Sequence, residues 1–462
     1  MTPPPARGAT KSPQPPSPGT AQLLTLVKSM LGARHYRAGV ATHAACFRLA
    51  ATSMTPAPDS ARIAGDLMRL LRASGLAPLR LGGRTLLPIV QGGMGIGVSA
   101  HRLAGSVAAL GGMGTISSVD LRRHHPDLME RTRGLGVGPE AKERINAVNL
   151  EALEREVAAA RRIAGGAGLL AMNVMRAVSD YTAYVKRSLE AGIDAIVVGA
   201  GLPLDLPDLA SDHPRVALVP ILSDARGVQL VVRKWERKKR MPDAIVLEHP
   251  AHAGGHLGAA GVKDLNDPRF DFERCIPDTL AVLRAAGIEG STPVIAAGGI
   301  RTLADIRRIQ SLGAAGVQIG TPFAVTLEGD AHPEFKRVLA EAREEDKLEF
   351  TSVAGLPARA VATPWLLAYL KAEPRLQAVA HVKARCTKAF DCLAQCGLRD
   401  GKAGWGQFCI DQQLAAALRG DVKRGLFFTG RGALPFGGQI RSVHDLLVKL
   451  LGGDVQPEPI TA

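Results

Sequence analysis

The chain has 462 residues, 46% hydrophobic and 22% charged, an ordinary globular balance with length for one large or two medium domains. The formal charge of +14 is uneven: positions 1–58 hold six Lys or Arg residues and no acid, and there is no patterned basic face with interleaved aromatics, which argues against a nucleic-acid partner. Six cysteines, four of them crowded late, do not make a secreted disulfide framework and point to a reducing cytoplasm, and no apolar run is long enough to span a bilayer.

Residues 1–57 read as an extension outside the fold. Residues 1–20, MTPPPARGATKSPQPPSPGT, are Pro- and Ser-rich and cannot bury enough apolar surface to order themselves. Residues 21–53 are basic and acid-free, a transit-peptide composition, but the amphipathic text MTPAPDSARIAGDLMRLL reads as a natural beginning, so the preferred reading is a mis-annotated start with Met54 as the real one.

From about residue 84 one pattern recurs: a short run rich in Val and Ile, a Gly-rich or polar turn, then a segment with helical periodicity. The runs are LLPIVQ (86–91), GMGTI (112–116), GLLAMNV (168–174), DAIVV (194–198), VALVPI (216–221), DAIVLE (243–248), PVIAA (293–297) and AGVQI (315–319). Continuous apolarity marks strands buried on both faces, as parallel strands are. Segments such as SAHRLAGSVAAL, LEALEREVAAARRIA and LADIRRIQSLGA lie between them as helices. Eight such units predict an α/β fold, a (β/α)8 TIM barrel over residues 58–330; an open doubly wound sheet fits less well, because GGMGIG after the first strand lacks an acidic partner at the required distance. Residues 331–462 read as a helical C-terminal subdomain carrying a four-cysteine segment.

In such a barrel function sits at the C-terminal strand ends, with phosphate commonly held after strands seven and eight. Those turns are AAGGI and IGTPF. Gly298 and Gly299 allow an anion close to the backbone, a helix beginning near Arg301 adds positive potential, and Gly320 with the hydroxyl of Thr321 extends the cradle. The first strand ends in Gln91-Gly92-Gly93-Met94, and Asn173 lies at the third strand end; glycines admit a flat ring and an amide can meet a heteroaromatic edge. A phosphate cradle beside a ring platform points to a mononucleotide, and FMN satisfies both. The stretch LEHPAHAGGHLG (247–258) follows strand six. Its three histidines span a glycine turn rather than a helix with ligands at i and i+4, so an active-site loop fits better than a metal site.

PIVQGGMGIGVS, AGGH, IAAGGI and GVQIGTPF, in this order across residues 84–365, resemble the nitronate monooxygenase family, with flavin-dependent enoyl-acyl-carrier-protein reductases as relatives. The resemblance implies an FMN barrel in which Gln91, Gly92, Gly93 and Met94 line the flavin, Asn173 and Gly255 contact it, and Gly298, Gly299, Gly320 and Thr321 hold its phosphate. It places His256 at the family's active-site histidine, acting as a base or an anion-binding donor toward a nitronate or nitroalkane, with dioxygen as oxidant. His249 and His252 are expected to be supporting or structural. Two departures bear on the substrate: His252 stands where relatives can carry an acid, and Ser223-Asp224 where they can present Lys. An NAD(P)H-driven reductase acting on an enoyl thioester or quinone, and a non-catalytic flavin- or metal-binding protein, are the alternatives.

Cys386, Cys392, Cys396 and Cys409, four thiols within twenty-four residues, have the number for an iron–sulfur cluster or structural zinc, although the spacing lacks a C-x2-C pair; reduced structural cysteines are the stronger reading. The run RKWERKKR (233–240) is expected to keep a helix end solvated, with docking of an acidic carrier as the sharper possibility.

Overall fold

The computed structural model describes residues 60–382, 386 and 392–455, so the extension expected over residues 1–57 lies outside the described residues. Helix α1 (Ser60–Ala73) leads into a hairpin, β1 (Leu79–Leu81) and β2 (Arg84–Leu86). Leu79, Leu81 and Leu86 enter the barrel interior beside Met113 and Leu169, near the strand starts, and so plug its lower end. The run LLPIVQ is therefore divided: Leu86 closes the hairpin and Pro88, with no N–H to give a ladder, separates it from the first barrel strand.

The strands β3 (Ile89–Gln91), β4 (Met113–Ser117), β5 (Leu169–Met175), β6 (Ala195–Gly199), β7 (Ala217–Leu222) and β8 (Ile245–Glu248) are joined by β10 (Val294–Ala297) and β11 (Gly316–Ile319), and close into one parallel barrel. All eight expected strands are present. Val90, Ala171, Val197, Val219, Val246 and Ile295 fill the interior. Their chain neighbours Ile89, Leu170, Ile196, Leu218, Leu247 and Ala296 face the helices, so both faces are apolar and the text runs without alternation.

The outer helices are α2 (His101–Ala109), α3 (Pro126–Arg131), α4 (Pro139–Ala164), α5 (Tyr181–Glu190), α6 (Leu206–Leu209), α7 (Ala225–Glu236), α8 (Phe272–Ala285), α9 (Leu303–Ser311) and α10 (Thr321–Ala324). Helix α4 begins at Pro139, well ahead of the Leu150 read from periodicity, because proline at the first helical position is already set for helix.

Beyond residue 330 the chain forms α11 (Pro333–Glu341), β12 (Lys347–Thr351), β13 (Pro357–Val361), α12 (Pro364–Ala378), α13 (Gly397–Asp400), α14 (Ile410–Leu418) and α15 (Val443–Leu450). The region is helical in the main but not throughout. Strands β12 and β13 pair antiparallel, and β13 takes up the two-residue β9 (Gly255–His256) through Ala358↔His256 and Arg359↔Gly255. The region has its own apolar cluster around Phe350, Leu366 and Phe408, while Val443, Leu446 and Leu447 return to the barrel's outer core.

Candidate active site

The C-terminal strand ends open into a cavity of about 580 Å3, a size suited to a cofactor or small ligand. Strand ends form its floor, and Phe335, Leu339, Leu414, Leu426 and Phe428 from beyond residue 330 form an apolar wall. That wall carries no local sequence signal, since its residues come together only when the C-terminal region folds over the barrel.

At the seventh turn Gly298 and Gly299 have φ of +103° and +76°, and an added Cβ would stand 3.0 Å from the His249 carbonyl or the His252 Cβ. Only glycine fits comfortably, and the backbone stays bare toward the cavity. The helix N-terminus expected to supply positive potential is instead self-capped: Thr302 Oγ1 accepts from Asp305 N (3.1 Å), and Asp305 Oδ2 accepts from the amides of Arg301 and Thr302 (3.0 Å each). The cation at this turn is Arg301. Its Nε and Nη1 are buried without a hydrogen-bond partner, and burial pushes its pKa down to about 10 against the fields of Glu344 and Asp305. Thr321 Oγ1 accepts from Gly430 N (3.0 Å), which leaves its hydroxyl proton to donate. Arg301 had a visible signal, an arginine two residues behind the glycine pair, that sequence reasoning used only as a helix start.

Gly92, Gly93, Met94, Asn173, Gly255, Gly298, Gly299, Gly320, Thr321 and His256 all line this one cavity. Gln91 does not, which corrects its expected place against a ring. Its Oε1 accepts from Thr115 N (2.8 Å) and its Nε2 donates to Thr115 O (3.1 Å), so the amide is spent tying β3 to β4. An amide on the cavity wall that the sequence reading missed is Gln318, opposite Gly92. Asn173 donates to Val197 O (3.3 Å) and packs so closely on Gly93 that a Cβ there would overlap its own.

The histidine loop is held from two sides. His249 N donates to Ala297 O (2.8 Å), its Nδ1 accepts from Ala251 N (3.2 Å), and Nε2 lies 3.4 Å from Asp271, so His249 is structural and off the cavity wall. Arg359, fully buried, donates to Ala253 O and to Glu349 Oε1 (2.6 Å). A Cβ on Gly254 would come within 2.6 Å of the Thr429–Gly430 backbone, and Gly255 has φ +74°. These two glycines let the loop pass under the C-terminal segment and enter β9. His256 then presents its ring 5.7 Å from Phe428 with Nε2 buried and unpartnered, and burial pushes its pKa down to about 4. His252 is also pushed down to about 4, by burial first and then by His249 and three nearby arginines. Both rings are neutral near neutral pH.

Among the described residues no set of three or more His, Cys, Asp or Glu side chains is placed to hold a metal ion. The four cysteines, all described, thus do not translate into the cluster or zinc site their number suggested. Burial, followed for Cys392 by Asp411 and the other three thiols, pushes the Cys392 and Cys396 thiols up. The basic run ends α7, which runs back antiparallel to the strands; it lies at the barrel end away from the cavity, so an acidic carrier docked there would not face the site.

A family model described as nitronate monooxygenase matches residues 83–453. A probable nitronate monooxygenase of Bacillus subtilis (strain 168) is 28% identical over 292 residues, 60% of this chain and 77% of that protein. The structure of FabK from Thermotoga maritima is similar with a TM-score of 0.54 at 20% identity, covering 79% of this chain and 91% of that one. Nitroalkane oxidase from Streptomyces ansochromogenes gives 0.53 at 18% identity, over 82% and 96%. At these identities the structural likeness speaks for the fold alone. The family match runs from just ahead of the first barrel strand to beyond the last helix, α15, and so takes in the whole cavity: the chain belongs to the nitronate monooxygenase family and is a flavoprotein oxidoreductase.

Proposed function

We propose that the protein binds FMN across the barrel mouth and oxidises alkyl nitronates with dioxygen, with His256 meeting the substrate. The observation that carries this reading is a pair of unsatisfied groups in one cavity: the buried guanidinium of Arg301 at the glycine turns and the buried Nε2 of His256. An unpaired buried cation is costly, and a phosphate is the chemistry that repays it. Arg301, the amides of Gly298 and Gly299, Gly320 and the Thr321 hydroxyl would hold that phosphate. Gly92, Gly93, Met94, Asn173, Gln318 and Gly255 would take the ring. Bound there, FMN supplies the electron-accepting ring that links substrate oxidation to dioxygen.

His256 acts through its neutral state. Its Nε2 lone pair can take the proton from the carbon beside a nitro group, and with a nitronate already formed the ring donates to the anionic oxygen. The nitronate's negative charge opposes the burial that depressed the imidazole, so anion binding raises its pKa and stabilises the protonated ring. His252, neutral where relatives can place an acid, sets no carboxylate against that anion. Phe335, Leu339, Leu414 and Leu426 take the alkyl portion and keep water out.

Anaerobic mixing tests the proposal: rapid flavin bleaching by a nitronate and not by NAD(P)H is expected. Bleaching by NAD(P)H alone would overturn it in favour of a hydride-transfer reductase acting on an enoyl thioester or quinone.

A further inference from the structure

The barrel interior beneath this cavity carries a carboxyl that the reading above leaves unused. Glu248 is the last residue of β8, in register with Ala297 of β10, and by strand alternation it shares the inward face of Val246. It lines the cavity. The other inward groups at this level, Asn173, Ile221, Ala297 and Gln318, are uncharged. Among the described residues the Glu248 side chain has neither a hydrogen bond nor an ion pair.

The other titratable and charged groups on the same wall are Asp224, His252, His256, Arg269, Arg301, Cys392 and Asp411. Several are engaged elsewhere: Asp224 accepts from Gly227 N at the start of α7, and Asp411 accepts from Arg123 (2.9 Å). None acts on Glu248, whose carboxyl burial alone pushes up to about 7. A carboxyl half-buried in the cavity wall with no protein partner brings nothing to packing and is partly desolvated, so its place at a strand end facing a ligand cavity calls for a role there.

We propose that Glu248 faces the bound flavin from the barrel interior, sets its reduction potential and takes up one proton as the cofactor gains electrons. This rests on the FMN reading above. In its neutral form the carboxyl can donate its O–H to a ring acceptor, whereas as a carboxylate it opposes added electron density. Two electrons arrive on the cofactor from the substrate, or from dithionite in the test. One solvent proton forms the O–H bond at a Glu248 Oε when the group starts ionised. When dioxygen removes the electrons, the proton returns to solvent.

The test is redox titration of FMN-loaded wild type and Glu248→Gln between pH 5.5 and 9. Below pH 7 the two curves should run parallel. Above it the wild-type potential should fall by about 30 mV more per tenfold drop in proton activity, the two-electron value for one extra proton, and the variant should show no such break. Parallel curves over the whole range would overturn the proposal. Infrared difference spectra of the wild type alone, reduced minus oxidised at pH 8, give a second readout that does not depend on the variant: a carboxylic acid band should appear on reduction, and its absence would likewise overturn it. A wild-type protein that takes up no FMN would overturn the cofactor reading and this proposal together; bound FMN with no break would overturn this proposal only.

Discussion

Replacing Arg301 with Met separates the two consequences of leaving a guanidinium buried without a partner. In the ligand-free protein burial depresses its pKa from the usual arginine range to about 10. At about 1.4 kcal/mol per unit this is a penalty of roughly 3 kcal/mol, an upper bound because the side chain is part-exposed at the cavity. Methionine removes the charge and keeps the apolar stem, so the ligand-free variant should be as stable as wild type or more so in a urea titration. A charge-assisted bond to phosphate contributes about 1.5–3 kcal/mol, so FMN affinity should fall by about 10- to 150-fold. Riboflavin, which has the ring and no phosphate, should bind wild type and variant alike. Fluorescence titration with both ligands reads the difference directly. FMN affinity within threefold of wild type, or an equal loss for riboflavin, would refute the assignment of Arg301 to the phosphate.

His256→Ala should retain FMN at full stoichiometry and lose at least about 100-fold in kcat/KM for nitronates, the span usual for a positioned acid–base group; wild-type turnover would remove His256 from the mechanism. Gly254→Ala puts a Cβ within 2.6 Å of the Thr429–Gly430 backbone, an overpacking that should cost about 1–3 kcal/mol and reduce turnover as the His256 loop shifts, both measurable on one preparation by urea melts and assay. Glu156, fully buried, accepts from His101 N (2.9 Å), has Oε2 2.7 Å from His101 Nδ1 and Oε1 2.9 Å from His125 Nε2. Burial raises its pKa, but the two histidines outweigh that and hold it well below 4.5. Its contribution is therefore complete above pH 4.5 and lost as pH falls below that. Glu156→Gln should cost about 3 kcal/mol at pH 7, a gap that starts to narrow below pH 4.5, and a gap unchanged between pH 7 and 3.5 would contradict the assignment.

The barrel was legible because its strands are buried twice. DAIVV, DAIVLE and PVIAA need apolar residues on both faces, and that requirement writes an uninterrupted run into the text. The hairpin LRLGGRTL was legible and went unread: Gly82 and Gly83, with φ of +57° and +72°, are the two-residue turn that right-twisted strands prefer. Strands β12 and β13 are a different case. KLEFT is charged and half-exposed, PARAV opens on proline, and β13 finds its second partner in Gly255–His256, about a hundred residues earlier in the chain. Nothing local announces such a pairing, because the free energy that favours it lies in contacts a window of the sequence does not contain.

For the site, polarity at a strand end told where a residue would be and not what it would do. Gln91 ends β3 and Gln318 is the last residue but one of β11, both amides within apolar text, and His249 and His256 both sit in one histidine loop. The difference within each pair lies in how their hydrogen bonds are used. Gln91 spends donor and acceptor on Thr115, and His249 spends its ring between Ala251 N and Asp271, so neither has capacity left for a ligand. His256 and Arg301 keep buried nitrogens unpaired, and such groups cost free energy until a ligand arrives. The substrate and the phosphate are thus read from what the folded chain leaves unsatisfied. That quantity depends on every neighbour at once, which is why glycine spacing could locate the cradle while the arginine beside it passed for the start of a helix.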